Sequence, residues 1–149
     1  MHELATDIPR LVIGALKGGA GKTLLTVGLV AALREHGLNL AVFKKGPDYI
    51  DAGWLGMAAS AQCYNLDPYL FEKEVMIRSF FNRSAGKDIA VIEGNRGLFD
   101  GVDASGHYST AELAKSLKSP VILIVDATKV TRTAAAMVLG CRLMDSNLQ

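Results

Sequence analysis

Four short runs of Val, Ile and Leu punctuate the chain, at Leu11–Leu16, Leu40–Phe43, Ile89–Ile92 and Val121–Val125. None alternates with polar residues, so each reads as a strand buried on both faces, the normal state of a parallel sheet. Helical patterns lie between them. Lys22 to His36 is almost wholly apolar and closes at Gly37, a helix-ending residue. Phe71 to Arg83 is amphipathic, with Val75, Ile77, Phe80 and Phe81 apolar and Glu74 placed four residues before Arg78. Ser109-Thr110-Ala111-Glu112 is a capping box opening a third helix. Thr131 to Met144 is poor in charge and predicts a fourth helix, buried. Such alternation predicts an α/β fold, a doubly wound, mostly parallel sheet in three α/β/α layers with right-handed crossovers. Asp145-Ser146-Asn147 reads as a turn after the last helix, where a further strand is expected, so the pattern is that of a fragment.

The first strand runs directly into Lys17-Gly-Gly-Ala-Gly-Lys-Thr23 and then into a helix. That context is the one a phosphate-binding loop requires. Gly18, Gly19 and Gly21 allow a turn tight enough to point successive N–H groups at phosphate oxygens. The helix start adds its positive dipole end. Lys22 is expected to reach the β- and γ-phosphates and the Thr23 hydroxyl to ligate Mg²⁺. The nucleotide-binding set is therefore Lys17, Gly18, Gly19, Ala20, Gly21, Lys22, Thr23 and Leu24. Leu16 stands where the usual loop has its first glycine, and Lys17 gives K-G-G-x-G-K-T instead. This resembles the deviant loop of dimer-forming ATPases of the partition and septum-site type, in which the extra lysine reaches a phosphate, often across a homodimer. Lys17 is either such a group or an ordinary solvated lysine.

Carboxylates follow the strands, at the edge where doubly wound sheets bind ligands. Asp48 and Asp51 follow the second strand; Glu93 ends the third and Asp100 comes shortly after it. Four acids beside a triphosphate repel one another unless cations intervene, and Mg²⁺ favours one or two carboxylates with phosphate oxygens and water. Glu93 is the best metal candidate and Asp48 the next. Asp48, Asp51 and Asp100 also sit beside Gly or Pro, where turn-forming acids are common. His107 meets either an anionic substrate or solvent, and Asp126 either touches ligand or caps the next helix.

Phe43-Lys44-Lys45-Gly46-Pro47-Asp48-Tyr49-Ile50-Asp51, Asn65-Leu66-Asp67-Pro68 and Glu93-Gly94-Asn95-Arg96-Gly97-Leu98-Phe99-Asp100-Gly101 resemble the cobyrinate a,c-diamide synthase family. Ser109–Lys115 and Pro120–Asp126 match the same pattern, so the resemblance runs from about Leu11 to Gly140. It implies a dethiobiotin synthetase-like P-loop fold and a carbon–nitrogen ligase of cobalamin biosynthesis. ATP would phosphorylate a tetrapyrrole acetate, and ammonia from a glutaminase domain would displace the phosphate. By the same resemblance Thr23, Asp48 and Glu93 are Mg²⁺ ligands. Lys22, Lys44, Asp48, Asp51, Glu93 and Asp100 are the catalytic set, with Lys44 steadying the substrate carboxylate or the transferring phosphoryl group. Asp51 and Asp100 would orient the tetrapyrrole carboxylates through metal or water. The family more often has Ser or Thr where Lys17 stands. The glutaminase domain and the adenine-recognition segment are expected beyond Gln149. A partition-type ATPase switch is the rival, but such proteins end the third strand with Asp, where this chain has Glu93-Gly94.

Composition narrows the classes further. The 149 residues fit one domain, and half of them are hydrophobic. Sixteen basic and 15 acidic residues give a formal net charge of +1, which leaves no footprint for nucleic acid or an anionic membrane surface. Met1–Arg10 carries Glu3, Asp7 and Pro9 and lacks the apolar run of a leader. Cys63 and Cys141 have no metal or disulfide spacing, which points to small buried hydrophobes in a reducing cytoplasm.

Overall fold

A computed structural model describes residues 8–149, so the reading of Met1–Arg10 falls largely outside the described residues. In chain order the elements are β1 (Arg10–Ala15), α1 (Lys22–Glu35), β2 (Leu40–Lys45), α2 (Ile50–Ala59), β3 (Cys63–Leu66), α3 (Lys73–Ser84), β4 (Ile89–Glu93), α4 (Thr110–Ser116), β5 (Val121–Ile124) and α5 (Arg132–Met144). The five strands form one parallel sheet in the order β3-β2-β4-β1-β5. This is the doubly wound α/β architecture that the strand–helix alternation predicts.

The unbroken apolar strands are explained by a core on each side of the sheet. Val12, Ala41, Phe43, Ala90 and Ile92 pack with Met76 and Phe80 of α3 and Leu113 and Ala114 of α4. Ile13, Leu40, Val42 and Val91 pack on the other face with Val30 of α1 and Ala52 and Leu55 of α2. Successive residues of one strand thus serve opposite layers, and that alternation later separates Lys44 from Lys45. The chain leaves β1 toward β2 on one side and leaves β4 toward β5 on the other. The β1/β4 boundary is therefore the switch point, and its carboxyl edge is where a ligand crevice opens.

Two elements exceed the sequence pattern and one departs from it. α2 carries Gly53 and Gly56, both weak helix formers, yet Asp48 Oδ1 accepts the N–H groups of Ile50 at 3.0 Å and Asp51 at 3.1 Å and starts the helix. β3 is a four-residue edge strand in which Cys63 and Leu66 are buried and Asn65 is exposed, unlike the central strands. The expected burial of the last helix does not hold. α5 has no buried residue, and Leu139, Leu143 and Met144 are exposed. Low charge there reflects its many Ala, Leu and Met residues and not enclosure by the sheet. The expected capping box opens α4, with Ser109 Oγ accepting the Glu112 N–H, while Glu112 Oε2 accepts the N–H of Tyr108, one residue before the cap. At the chain's end the Gln149 carbonyl accepts the Val121 N–H at 2.8 Å, beside the edge strand β5. Among the described residues no helix is long and apolar enough to cross a membrane.

Phe80 anchors the α3 layer, fully buried and 5.0 Å from the ring of Phe43. Phe80→Ala is expected to cost about 3–5 kcal/mol of stability in urea denaturation. A loss below about 1 kcal/mol would show that this layer is not packed as described.

Candidate functional site

β1 ends at Ala15, and residues 16–21 carry the chain over the carboxyl edge of the sheet into α1. Gly19 and Gly21 hold φ of 71° and 89°, a left-handed backbone that a side chain would strain. Gly21 is the N-cap of α1 and offers no side-chain cap, so the first N–H groups of the helix stay available to an outside acceptor. The segment after β4 runs alongside: Gly94 N–H donates to Ile13 O at 2.9 Å and Leu98 N–H to Ala15 O at 2.6 Å. Between these two segments lies a cleft of about 380 Å³, lined by Gly18, Gly19, Gly21, Lys22, Thr23 and Leu24 on one side and Lys44, Asp51, Glu93, Asn95 and Arg96 on the other.

Sheet register builds the floor of that cleft. Glu93 of β4 is paired with Ile13 of β1 on one side and with Lys44 of β2 on the other. Lys44 Nζ donates to Glu93 Oε1 at 2.8 Å and to Asp51 Oδ2 at 2.9 Å. The Thr23 hydroxyl reaches the same two carboxylates, 2.7 Å from Glu93 Oε1 and 3.2 Å from Asp51 Oδ2. Lys44 is 2% exposed and Glu93 wholly buried, so the pair exists out of water. Burial works against the Lys44 ammonium, but hydrogen bonds and charge from Glu93 and Asp51 outweigh it and raise its pKa. Desolvation likewise opposes the Asp51 carboxylate, and Lys44, then Thr23, hold its pKa below the ordinary value.

Lys22 behaves differently. Its Nζ donates to the Arg96 carbonyl at 2.7 Å and to the Lys17 carbonyl at 3.3 Å, with no carboxylate partner. Burial and then the charge of Lys44 lower its pKa, so an anion in the cleft would meet an under-compensated ammonium. Glu93 Oε2 is also buried without a hydrogen-bond partner. Thr23 Oγ1, Glu93 and Asp51 are hard oxygen donors converging on one point, a donor set that fits Mg²⁺. Among the described residues no three acidic, His or Cys side chains form a ready-made cage, so such an ion would complete its shell with phosphate and water oxygens.

The structure gathers most of the residues singled out from sequence. Asp51 rather than Asp48 stands beside Thr23; Asp48 caps α2 and is held by Asn65, whose Nδ2 donates to the carbonyls of Gly46 and Asp48. Asp100 is set back from the floor, its Oδ2 accepting the Gly97 N–H at 3.0 Å. Ala20 is not among the residues lining the cleft. Lys17 turns away and pairs with Asp126 Oδ2 at 2.9 Å. The Thr128 hydroxyl, then Lys17, hold the Asp126 carboxyl far below its usual range. His107 is solvated, its ring bound to Asp103, and the partner holds its pKa up. Cys63 and Cys141 are free thiols; burial pushes Cys63 up to about 12, which makes it a poor nucleophile. Sequence reasoning quoted Asn65, Asn95 and Arg96 within motifs but gave them no role. Their position in the Asn65–Pro68 and Glu93–Gly101 runs was the available signal.

The profile of a family described as the CobQ/CobB/MinD/ParA nucleotide binding domain matches residues 11–145. A protein of Magnetococcus marinus named cobyrinate a,c-diamide synthase is 48% identical over 133 residues, covering 89% of this chain and 28% of that protein. Proteins of the same name from Syntrophotalea carbinolica and Archaeoglobus fulgidus are 46% and 38% identical, covering 94% and 99% of this chain and 31% and 32% of theirs. The chain thus spans roughly three-tenths of the length of these relatives. Among solved structures, chloroplast FtsY from Physcomitrella patens superposes with a TM-score of 0.60 at 14% identity, over 93% of this chain and 47% of that one, a likeness of fold alone.

The buried pair sets two expectations. Lys44→Met leaves Glu93 buried without its cation and is expected to cost about 3–5 kcal/mol. Adding Glu93→Gln should recover part of that loss, and additive effects in a denaturation double-mutant cycle would contradict a coupled pair. Because the Asp51 pKa lies below its ordinary 3.8, its contribution is complete above that pH and is lost as pH falls through the folded value. Asp51→Asn should therefore flatten the acid limb of the stability profile; an unchanged limb would contradict the assignment.

Proposed function

The chain belongs to the CobQ/CobB/MinD/ParA nucleotide binding domain family, and from that premise we propose that it is the carboxylate-activating ATPase unit of a cobyrinate a,c-diamide synthase. What carries the reading is the Lys44–Glu93–Asp51–Thr23 cluster, which sets a buried ammonium beside the loop that would hold the phosphates. Identities of 38–48% to proteins of that name support it.

In this mechanism the loop N–H groups and the start of α1 bind the β- and γ-phosphates of ATP. Lys22 leaves the Arg96 carbonyl for the phosphate oxygens. Thr23, Glu93 and Asp51 would hold Mg²⁺, which supplies charge neutralisation between the phosphates. Asp48 serves by starting α2 and so placing Asp51. A substrate acetate oxygen attacks the γ-phosphorus, the bond to the ADP oxygen breaks, and an acyl phosphate forms. Lys44 steadies the incoming carboxylate and the charge on the transferring group. Ammonia then attacks the acyl carbon, inorganic phosphate leaves, and loss of a proton gives the amide. No residue of the cluster needs to act as a nucleophile. Ammonia would come from a glutaminase active site in another part of the protein, since the buried, un-ionised Cys63 does not provide one. Asp100 lies behind Gly97 and shapes the loop from β4, so its effect on substrate is indirect.

The half-reaction is directly testable. In the full-length protein that carries this chain, with ATP, Mg²⁺, cobyrinic acid and hydroxylamine, ADP release should keep step with formation of a corrin hydroxamate, read by mass spectrometry. Glu93→Gln should reduce that turnover by about 100-fold or more, in the range of losses for a transition-state charge stabiliser. ATP hydrolysis indifferent to cobyrinic acid but stimulated by DNA or lipid vesicles would replace this reading with a partition-type switch.

A further inference from the structure

The mechanism above leaves Lys45 without a task. Alternation along β2 sends Lys44 to the α1/α2 face with Val42, and Lys45 to the α3/α4 face with Phe43. Lys45 is 9% exposed, and among the described residues its side chain makes no hydrogen bond or ion pair. Asp67 is the attractive charge near it, while Arg96 and Lys44 repel it. Asp67 is itself committed, its Oδ1 accepting the Tyr69 N–H at 2.9 Å and the Leu70 N–H at 3.4 Å. The Lys45 side chain is therefore mostly covered while its charge is under-compensated at the cleft wall, and an anion beside it would offset the repulsion from Arg96 and Lys44.

Lys45 lines a cleft of about 320 Å³ together with Arg96, Asn95 and Asp100. Asn95 and Arg96 also line the phosphate-loop cleft, so the two are neighbours. On its other side the Lys45 cleft shares Tyr69, Leu70 and Tyr108 with a wider groove of about 670 Å³. The rings of Tyr69 and Tyr108 meet edge to face at 5.6 Å, and Leu70 and Phe71 are exposed beside them. Phosphate site, cationic cleft and aromatic groove therefore form one track along the sheet's carboxyl edge.

The geometry points to a second substrate subsite: Lys45, helped by Arg96, holds an ionised carboxylate of a large amphipathic polycarboxylate whose ring system lies over Tyr69, Leu70 and Tyr108. The carboxylate held here is not the one being phosphorylated, which sits at Lys44. This rests on the proposed function for the ring's identity, but the anion site is argued from Lys45 alone. Asp51 and Asp100, as anions, cannot hold a carboxylate directly. Lys45 can, and it would favour a free acid over its amide at that position.

Binding of cobyrinic acid, of its amidated analogue cobyric acid, and of uroporphyrin is measured by absorbance titration. Lys45→Gln should weaken cobyrinic acid about tenfold to a hundredfold, the range of a charge-assisted hydrogen bond. It should also shrink the preference over cobyric acid, and Lys45→Arg should restore most of both. The loss should fall on the tetrapyrrole and not on a fluorescent ATP analogue. Tyr69→Ser, on an exposed loop, should weaken both corrins alike and serves if Lys45→Gln fails to fold. Wild-type affinity in the folded Lys45→Gln protein, or in Tyr69→Ser, overturns the subsite while leaving the proposed function standing. Lys45-dependent binding of uroporphyrin without any binding of cobyrinic acid upholds the subsite and sinks the cobyrinate reading. Binding of neither sinks both.

Discussion

A buried ammonium shared by two carboxylates organises this protein's functional edge. Lys44 lies between Glu93, its neighbour in the sheet, and Asp51, in the first turn of α2. Removing either member of the Lys44–Glu93 pair would leave the other buried without it. The pair therefore fixes the relation of β2 to β4, and Asp51 ties α2 to both. Thr23 extends the network to the start of α1, so the phosphate loop is docked by the same charges that complete it chemically. Structure and reactivity draw on one set of side chains.

The topology explains why the network stands where it does. β4 lies between β1 and β2 although it follows both in the chain, so its end meets the phosphate loop on one side and Lys44 on the other. Chain connections diverge at that point, and the crevice they leave opens over the charged floor. Lys22 is held by backbone carbonyls, of Arg96 and Lys17, and these are weaker competitors than a phosphate would be. The loop is thus poised for an anion, while the floor sets one ammonium against two carboxylates and suits a cation.

Much of this is visible in the chain's order of residues. The glycine pattern after β1, the strand-ending Glu93 and the lysine after the second apolar run each state their chemistry through position. What sequence could not show was pairing across the sheet. Asp48 and Asp51 look equivalent as acids of one turn, and only the helix between Ile50 and Ala59 separates the capping residue from the one that reaches Thr23. That helix was hidden because its two glycines and weak sidedness blunt a helical pattern. Lys44 and Lys45 likewise look interchangeable until strand alternation sends them to opposite layers. The exposure of α5 shows the reverse error, since an absence of charge says what a helix could tolerate and not what covers it.

The central claim is that this edge moves phosphate onto a carboxylate oxygen. Cobyrinic acid labelled with ¹⁸O in its acetate carboxylates, incubated with ATP, Mg²⁺ and an ammonium salt, tests it most directly. An acyl phosphate displaced by ammonia carries one labelled oxygen into inorganic phosphate for each amide formed, and the account predicts that stoichiometry. Amide formation with unlabelled phosphate, or with the label in AMP, would contradict it.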